Sequence, residues 1–378
     1  MDLDFTAEQD LLRESVRRSC ERHGGLDATR KLEDDPVGYS PALWSQLGEL
    51  GVLGVLISEQ HGGSGMTMLD AAVVYEELGR ALVPSPHFVS CILAAGLIGR
   101  ASDRALKSRI LPGIASGDSI VTVAALEPDC GYGPAGVQLR ATPDGDGWRL
   151  AGTKVHVPFA QAAESILVLA REPTGGIVAV LVPTTAAGIT LEQQLSVASD
   201  TQFRVHFDDV AVPADAAVHR EAWPPWHDTM LDGVTLLAAQ AAGGARAALD
   251  LAVGYANTRQ QFGKPLAAFQ AISHYLADAT TAVDGAQAIA WEAAWASGRT
   301  ERSKSNVLAP MAKSFACQTF RDVTATAQQI FGGNGFTLDF DIQLFFRRAK
   351  SLQLNHWDTR YLNELIAAAV LDDGEQAG

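Results

Sequence analysis

Hydrophobic and polar positions change rhythm twice along the 378 residues. Up to about residue 118, apolar positions recur at helical spacing, with breaks predicted at residues 24–40, 61–65 and 84–86. From 119 to 224 the pattern becomes one of strands. Short β-rich runs at 119–125, 148–157, 165–170, 177–182 and 202–207 alternate with Gly, Pro and Asp turns. Trp223-Pro224-Pro225-Trp226 marks the second change, and the alanine-rich remainder reads as helix to the end. Within it Leu236, Leu237, Ala241, Leu249 and Val253 predict a buried helix, and alanine faces allow helices to approach closely. The expected fold class is α+β, mainly α. Three domains are expected: an N-terminal α-helical domain (1–118), a central β-domain (119–224) and a C-terminal helical bundle (225–378). Thr6 and Gln9 have capping-box spacing at the start of the first helix. No internal repeat is visible, and the polar tail 372–378 is expected to fray.

Charge and cysteine usage narrow the function classes. A formal net charge of −15 argues against nucleic acid or an anionic membrane as the main partner. It leaves room for CoA, whose phosphates need only a local basic patch. Cys20, Cys91, Cys130 and Cys317 form no CxxC or metal spacing, so reduced thiols and no metal are expected. Apolar runs such as 121–126 are too short to span a bilayer, and the opening residues do not read as a signal peptide. The expected location is cytoplasmic.

The densest chemical signal is Gln329–Phe336, QIFGGNGF. Gly332, Gly333 and Gly335 follow a helix-compatible segment, and missing Cβ atoms let the backbone present N–H groups to a bulky anion. A helix C-cap followed by a turn is the other meaning of such a run. A second segment, YANTRQQFGKPLAAFQ from Tyr255 to Gln270, gives it context. Together they resemble the acyl-CoA dehydrogenase family, and the resemblance covers nearly the whole chain. The opening MDLDFTAEQDLLRESVRRSC, the stretch from Leu43 to Leu82, Glu127-Pro128 and the stretch from Trp148 to Arg171 all fall in register with it.

The resemblance implies an N-terminal helical domain, a central β-barrel-like domain and a C-terminal four-helix bundle. It also implies FAD as cofactor, an acyl-CoA substrate and electron-transferring flavoprotein as electron acceptor. In this family the base is a carboxylate that takes the α-proton of the thioester, and the flavin ring takes the β-hydrogen. Each FAD site is shared: one subunit surrounds the ring and thioester, and its neighbour holds pyrophosphate and adenine. In this sequence the donated half matches the family at Arg259, Phe262, Gln270, Gln329, Gly332 and Gly333.

The ring-side half departs from the family. Leu126 stands where threonine is usual, Tyr132 at a flavin-bonding serine, His156 at a tryptophan, and Pro158 at a serine or threonine. Leu126 and Pro158 offer no side-chain donor, and Pro158 has no N–H either. His356 occupies the usual catalytic-glutamate position, with Trp357 in place of a glycine. At the family's alternative glutamate position stands Gly233, followed by Val234 where arginine is usual. No catalytic residue is therefore assigned, and Asp232 and Asp358 are near enough for a register shift to matter.

Three readings remain open. The first is the base-less, FAD-completing subunit of a heterotetramer with a homologous acyl-CoA dehydrogenase chain, similar in character to enzymes of sterol side-chain degradation. The second is a homomeric dehydrogenase using His356 or a nearby aspartate as base. The third is a non-enzymatic scaffold of the same fold.

Overall fold

The computed structural model describes residues 5–298 and 302–372. Helices lead the chain: α1 (Ala7–His23), α2 (Gly25–Lys31), α3 (Pro41–Glu49), α4 (Met68–Arg80), α5 (Ala95–Gly99) and α6 (Arg104–Ser116). A π-helical segment, Phe88–Ala94, runs into α5. At α1 the expected capping box is present: the Gln9 N–H donates to Thr6 Oγ1 at 3.2 Å and the Thr6 N–H to Gln9 Oε1 at 3.0 Å. The stretch 24–40, expected as a loop, contains α2 instead. Seven residues starting at a glycine are too few to show a helical period.

Eight strands follow: β1 (Val121–Ala124), β2 (Arg140–Asp144), β3 (Gly147–Pro158), β4 (Ser165–Arg171), β5 (Ile177–Pro183), β6 (Ile189–Gln194), β7 (Gln202–Val212) and β8 (Ala217–His219). They hydrogen-bond in the order β6-β7-β3-β2-β4-β5-β8, with β1 lying parallel to β4. The middle of β4 and nearly all of β5 are buried, as their unbroken apolar runs require. Trp148, Leu150, Phe203, Val205 and Phe207 fill the core beneath them. Strands β2, β6 and β8 escaped the sequence pattern. β2 contains Pro143, β6 is half-exposed along its length, and β8 has only three residues.

The rest of the chain is α7 (Trp223–Thr258), a hairpin of β9 (Gln260–Gln261) and β10 (Lys264–Pro265), then α8 (Gln270–Ser297), α9 (Arg302–Phe331), α10 (Ile342–Leu354) and α11 (Thr359–Ala367). Pro224 and Pro225 lie in the first turn of α7, where a missing N–H costs no helical bond. Leu236, Leu237, Ala241 and Leu249 are buried as expected, whereas Val253 is 37% exposed and points outward. The tail expected to fray lies almost wholly outside the described residues. No helix among the described residues is long and apolar enough to cross a membrane.

By packing, the chain divides into two compact units. One comprises residues up to Thr29, Thr67–Val83 and those from Val234 onward; the other comprises Arg30–Met66 and Pro84–Gly233. In the first unit α4 and α7 touch backbone to backbone. A Cβ on Gly79 would lie 2.0 Å from the Gln240 carbonyl oxygen, and one on Gly243 2.0 Å from that of Glu76. Gly243→Ala should therefore force the helices apart and lower stability by about 3 kcal/mol. Gly254→Ala in the same helix, where nothing lies within 4 Å, should raise it by about 1 kcal/mol. Denaturant midpoints of the two variants check both signs.

Candidate functional site

Arg259, Phe262 and Gln270 lie on the connection between α7 and α8. Arg259 follows the last turn of α7, and its N–H donates to the Tyr255 carbonyl at 2.8 Å. β9 and β10 pair Gln261 with Lys264, so the turn is Phe262-Gly263. Both turn residues are left-handed, with φ of 53° and 79°. That is the two-residue turn best matched to strand twist, but it holds a phenylalanine in a conformation disfavoured by about 1–2 kcal/mol. Phe262 is also 91% exposed. Its ring meets Phe269 edge-on at 6.1 Å, and the Lys264 ammonium covers the Phe269 ring at 4.3 Å. A strained, solvent-facing aromatic ring gains nothing for this chain's own core. Gln270 is exposed in the first turn of α8.

Gln329, Gly332 and Gly333 lie at the end of α9, and all three are exposed. The glycines of the run divide into two kinds. A Cβ on Gly335 would meet the Gln328 carbonyl oxygen at 2.5 Å, so Gly335 serves the turn itself. Gly332 (φ 64°) and Gly333 face open space, with nothing within 4 Å of a Cβ. Tyr255 ties this turn to the Arg259 segment. Its ring stacks on Phe331 at 4.1 Å, meets Phe340 edge-on at 6.3 Å, and its hydroxyl accepts from Asn334 Nδ2 at 3.2 Å. The structure thus gathers the six donated-half residues onto two connected, exposed segments. Tyr255, Asn334 and Phe340, which organise them, had no role in the sequence reading, although Tyr255 opens the matched segment.

The other unit holds the ring-side positions. The Val155 N–H donates to the Leu126 carbonyl at 3.0 Å, and Thr122 Oγ1 donates to the Pro158 carbonyl, so Leu126 and Pro158 lie along one edge of the sheet. His156 bulges out of β3 with φ of 54°; its N–H donates to Gln194 Oε1 at 3.0 Å and its Nδ1 lies 2.9 Å from Gln202 Oε1. Beneath this edge is a buried ion pair, Lys154 Nζ to Glu127 Oε1 at 2.7 Å. Glu127 Oε1 also accepts the Gln138 and Leu139 N–H groups at 2.7 and 2.9 Å, which anchors the loop that follows Leu126. Burial pushes the Lys154 ammonium down to about 8 against the opposing pull of Glu127. Tyr132 is half-buried further along that loop.

His356 and Gly233, the two positions expected from the sequence to correspond to a glutamate, are closed in different ways. His356 and Trp357 sit between α10 and α11 with φ of 53° and 71°. The turn is held by Lys313 of α9, whose buried Nζ donates to the carbonyls of Leu352 (3.1 Å), Asn355 (3.0 Å) and Trp357 (2.8 Å). Burial and the Lys313 charge push the His356 imidazole down to about 3, which leaves it neutral but a poor base near pH 7. The Asp358 carboxylate caps α11 by accepting the Tyr361 N–H at 2.9 Å. Asp232 pairs with Arg100. A Cβ on Gly233 would meet Leu93 at 2.9 Å and Phe88 at 3.2 Å, so no longer side chain fits there without repacking.

Family models match in chain order. The acyl-CoA dehydrogenase N-terminal domain matches residues 6–118, the middle domain 122–210 and the C-terminal domain 228–371. The chain belongs to the acyl-CoA dehydrogenase family. It is 32% identical to acyl-CoA dehydrogenase fadE12 of Mycobacterium bovis over 364 residues, covering 91% of this chain and 90% of that one. Among solved structures it resembles butyryl-CoA dehydrogenase of Megasphaera elsdenii, with 28% identity, a TM-score of 0.90, and 98% and 100% of the two chains covered. It also resembles a variant of the Tcur3481-Tcur3483 steroid ACAD, with 29% identity, a TM-score of 0.87, and 97% and 99% covered.

FAD is the cofactor of this family, and the two groups of residues fit it unequally. A guanidinium, an exposed aromatic ring, two amide side chains and two unobstructed glycines suit a diphosphate and an adenosine. At the ring-side edge, Leu126 and Pro158 offer a flavin no side-chain hydrogen bond.

The depressed His356 imidazole fixes a direction for acid stability. Its ordinary value is about 6.5, so between about 3 and 6.5 the unfolded chain binds the extra proton. Stability therefore falls as pH drops below 6.5; His87, buried and pushed down to about 4, acts in the same sense. His356→Asn keeps a residue that tolerates φ above zero and removes the titration. Between pH 6.5 and 5 this variant should lose about 1–2 kcal/mol less than the wild type in denaturant titrations. Lys313→Met, by contrast, should cost about 3 kcal/mol at neutral pH, because three carbonyls lose their shared donor.

Proposed function

We propose that this chain is the FAD-completing subunit of a heteromeric, cytoplasmic acyl-CoA dehydrogenase, without a catalytic base of its own. The observation that carries this reading is an asymmetry. The residues the family donates to a neighbour are present, exposed and held in place by the Tyr255 stack. The positions it would use for its own flavin ring and base carry Leu126, Pro158, a His356 imidazole pushed far below neutrality and a Gly233 packed against Leu93 and Phe88.

In the proposed assembly, Arg259 pairs with the pyrophosphate, Phe262 covers the adenosine, Gln270 and Gln329 supply amide contacts, and Gly332 and Gly333 present backbone N–H groups. Bound FAD supplies the hydride acceptor for α,β-desaturation of an acyl-CoA thioester. The homologous partner subunit supplies the glutamate, the ring contacts and the acyl pocket, and electron-transferring flavoprotein accepts the electrons. A heterotetramer is the expected form, since a duplicated pair of chains is free to specialise its two copies. The Tcur3481-Tcur3483 steroid ACAD, whose designation pairs two chains, supports this assembly and a steroid-derived acyl-CoA as substrate. The division into 1–118, 119–224 and 225–378 belongs to the same reading and is supported by the three matched domains. The homomeric alternative would need Asp232 or Asp358 as base, and both carboxylates are engaged in their own unit.

Co-expression with an adjacently encoded homologue should give a yellow complex with fewer flavins than subunits, and the chain alone should retain little FAD. A homomer with one flavin per chain overturns the proposal. In the complex, Arg259→Ala should strip FAD, because losing a charge-assisted pair costs about 1.5–3 kcal/mol. His356→Asn should leave turnover within about twofold of wild type, whereas loss of a true base lowers it about 10²-fold or more. Flavin retained with activity gone in that variant is the contrary result.

A further inference from the structure

Glu76 of α4 is 5% exposed, an unusual depth for a carboxyl group. The close crossing at Gly243 sets that depth by pressing the Glu76 backbone against α7. Its Oε1 accepts from Trp291 Nε1 at 3.0 Å and Gln287 Nε2 at 3.4 Å, both on α8. Its Oε2 lies 3.7 Å from an Arg13 nitrogen on α1. Arg13 in turn covers the Phe5 ring at 4.4 Å, and Phe5 meets Trp291 edge-on at 4.9 Å. The circuit Glu76, Arg13, Phe5, Trp291 closes on one carboxyl and joins α1 to α4 and α8. A cavity of about 250 Å³, lined in part by Arg13, Glu76, Gln287 and Trp291, lies against this circuit.

The other charged groups around it are engaged elsewhere. Arg17 forks onto Glu77 at 2.8 and 2.7 Å, Arg80 pairs with Asp250 at 3.0 Å, and Arg246 holds Asp284 and, at 2.8 Å, Gln287. Arg13 is divided between Glu76 and the closer Asp10 at 2.9 Å. Burial therefore outweighs attraction, and the Glu76 carboxyl is pushed up to about 7, with Arg13 opposing and the neighbouring Glu77 adding to the rise.

We propose that Glu76 is a proton-operated latch that docks α1 on the bundle while its carboxyl is protonated and loosens it as the carboxyl ionises. Lifting α1 lets water reach Glu76, which returns toward the ordinary glutamate value near 4.3. The docked form thus holds the proton more tightly, so docking is favoured at low pH. Between about pH 4.3 and 7 each further unit weakens docking by up to about tenfold, and above about pH 7, where both forms are ionised, the dependence levels off. The protonated group still offers Oε1 to Trp291 and Gln287, so the α8 contacts survive in both states.

Hydrogen exchange of the purified full-length protein, from about pH 5 to 8.5, tests the latch. The wild type is compared with Glu76→Gln at each pH, which cancels the intrinsic chemistry of exchange. The rate ratio for α1 amides should climb, by up to about tenfold per unit, up to about pH 7 and then level off. Arg13→Gln removes the cation that favours the ionised form, so the pH at which the ratio levels off should move upward even if α1 exchanges faster throughout. A ratio constant over the whole range, or a levelling-off point that ignores Arg13→Gln, overturns the proposal. So does an equal rise in the β4 and β5 amides, which would reassign the effect to global unfolding.

Discussion

The two exposed segments at Arg259 and Gly332 depend on Tyr255 lying flat against Phe331, with rings 14° from parallel and 4.1 Å apart. The two residues belong to the last turns of α7 and α9, where helices have unmet carbonyls and fray most easily. A stacked pair contributes about 0.5–1.5 kcal/mol beyond its burial, and Phe340 and the Asn334 amide close around it. Arg259 follows Tyr255 by four residues, and Gly332 follows Phe331 directly. Pinning the rings therefore fixes the starting point of both exposed segments. The strained Phe262 turn and the open glycines can then face solvent without loosening the bundle.

Two buried lysines do the opposite work. A buried ammonium is tolerated only when its donors are satisfied, and satisfying them fixes whatever supplies the acceptors. Lys313 takes three carbonyls at the α10–α11 turn, and Lys154 takes Glu127 and the Ala125 carbonyl at the sheet edge. Both segments are firmly built, yet the side chains they present, His356 and Pro158 among them, are poorly suited to a proton transfer or a flavin contact.

Depth of burial is set by glycine in the first unit. Where α4 and α7 cross at Gly79 and Gly243, the backbones approach to distances no Cβ permits, and Glu76 is carried below the reach of bulk water. Its raised affinity for a proton follows from that geometry rather than from any unusual neighbour.

Much of this was legible in the residues. The capping box at Thr6, the change from helical to strand rhythm near residue 119, the open glycines Gly332 and Gly333, and the missing side-chain donors at Leu126 and Pro158 all read from local pattern or motif. Weak local signals hid α2, β2, β6 and β8, and the apolar rhythm of α7 placed Val253 inward when it faces out. The sequence by itself determined which segments become helices and strands and which side chains can donate a hydrogen bond, because those depend on spacing of a few residues. Only the tertiary structure decided that Lys313 closes a turn 39 to 44 residues away, that Tyr255 joins the two donor segments, and that Glu76 meets Trp291 across 215 positions. Those contacts arise where distant faces happen to pack, and no periodicity along the chain encodes which faces will meet.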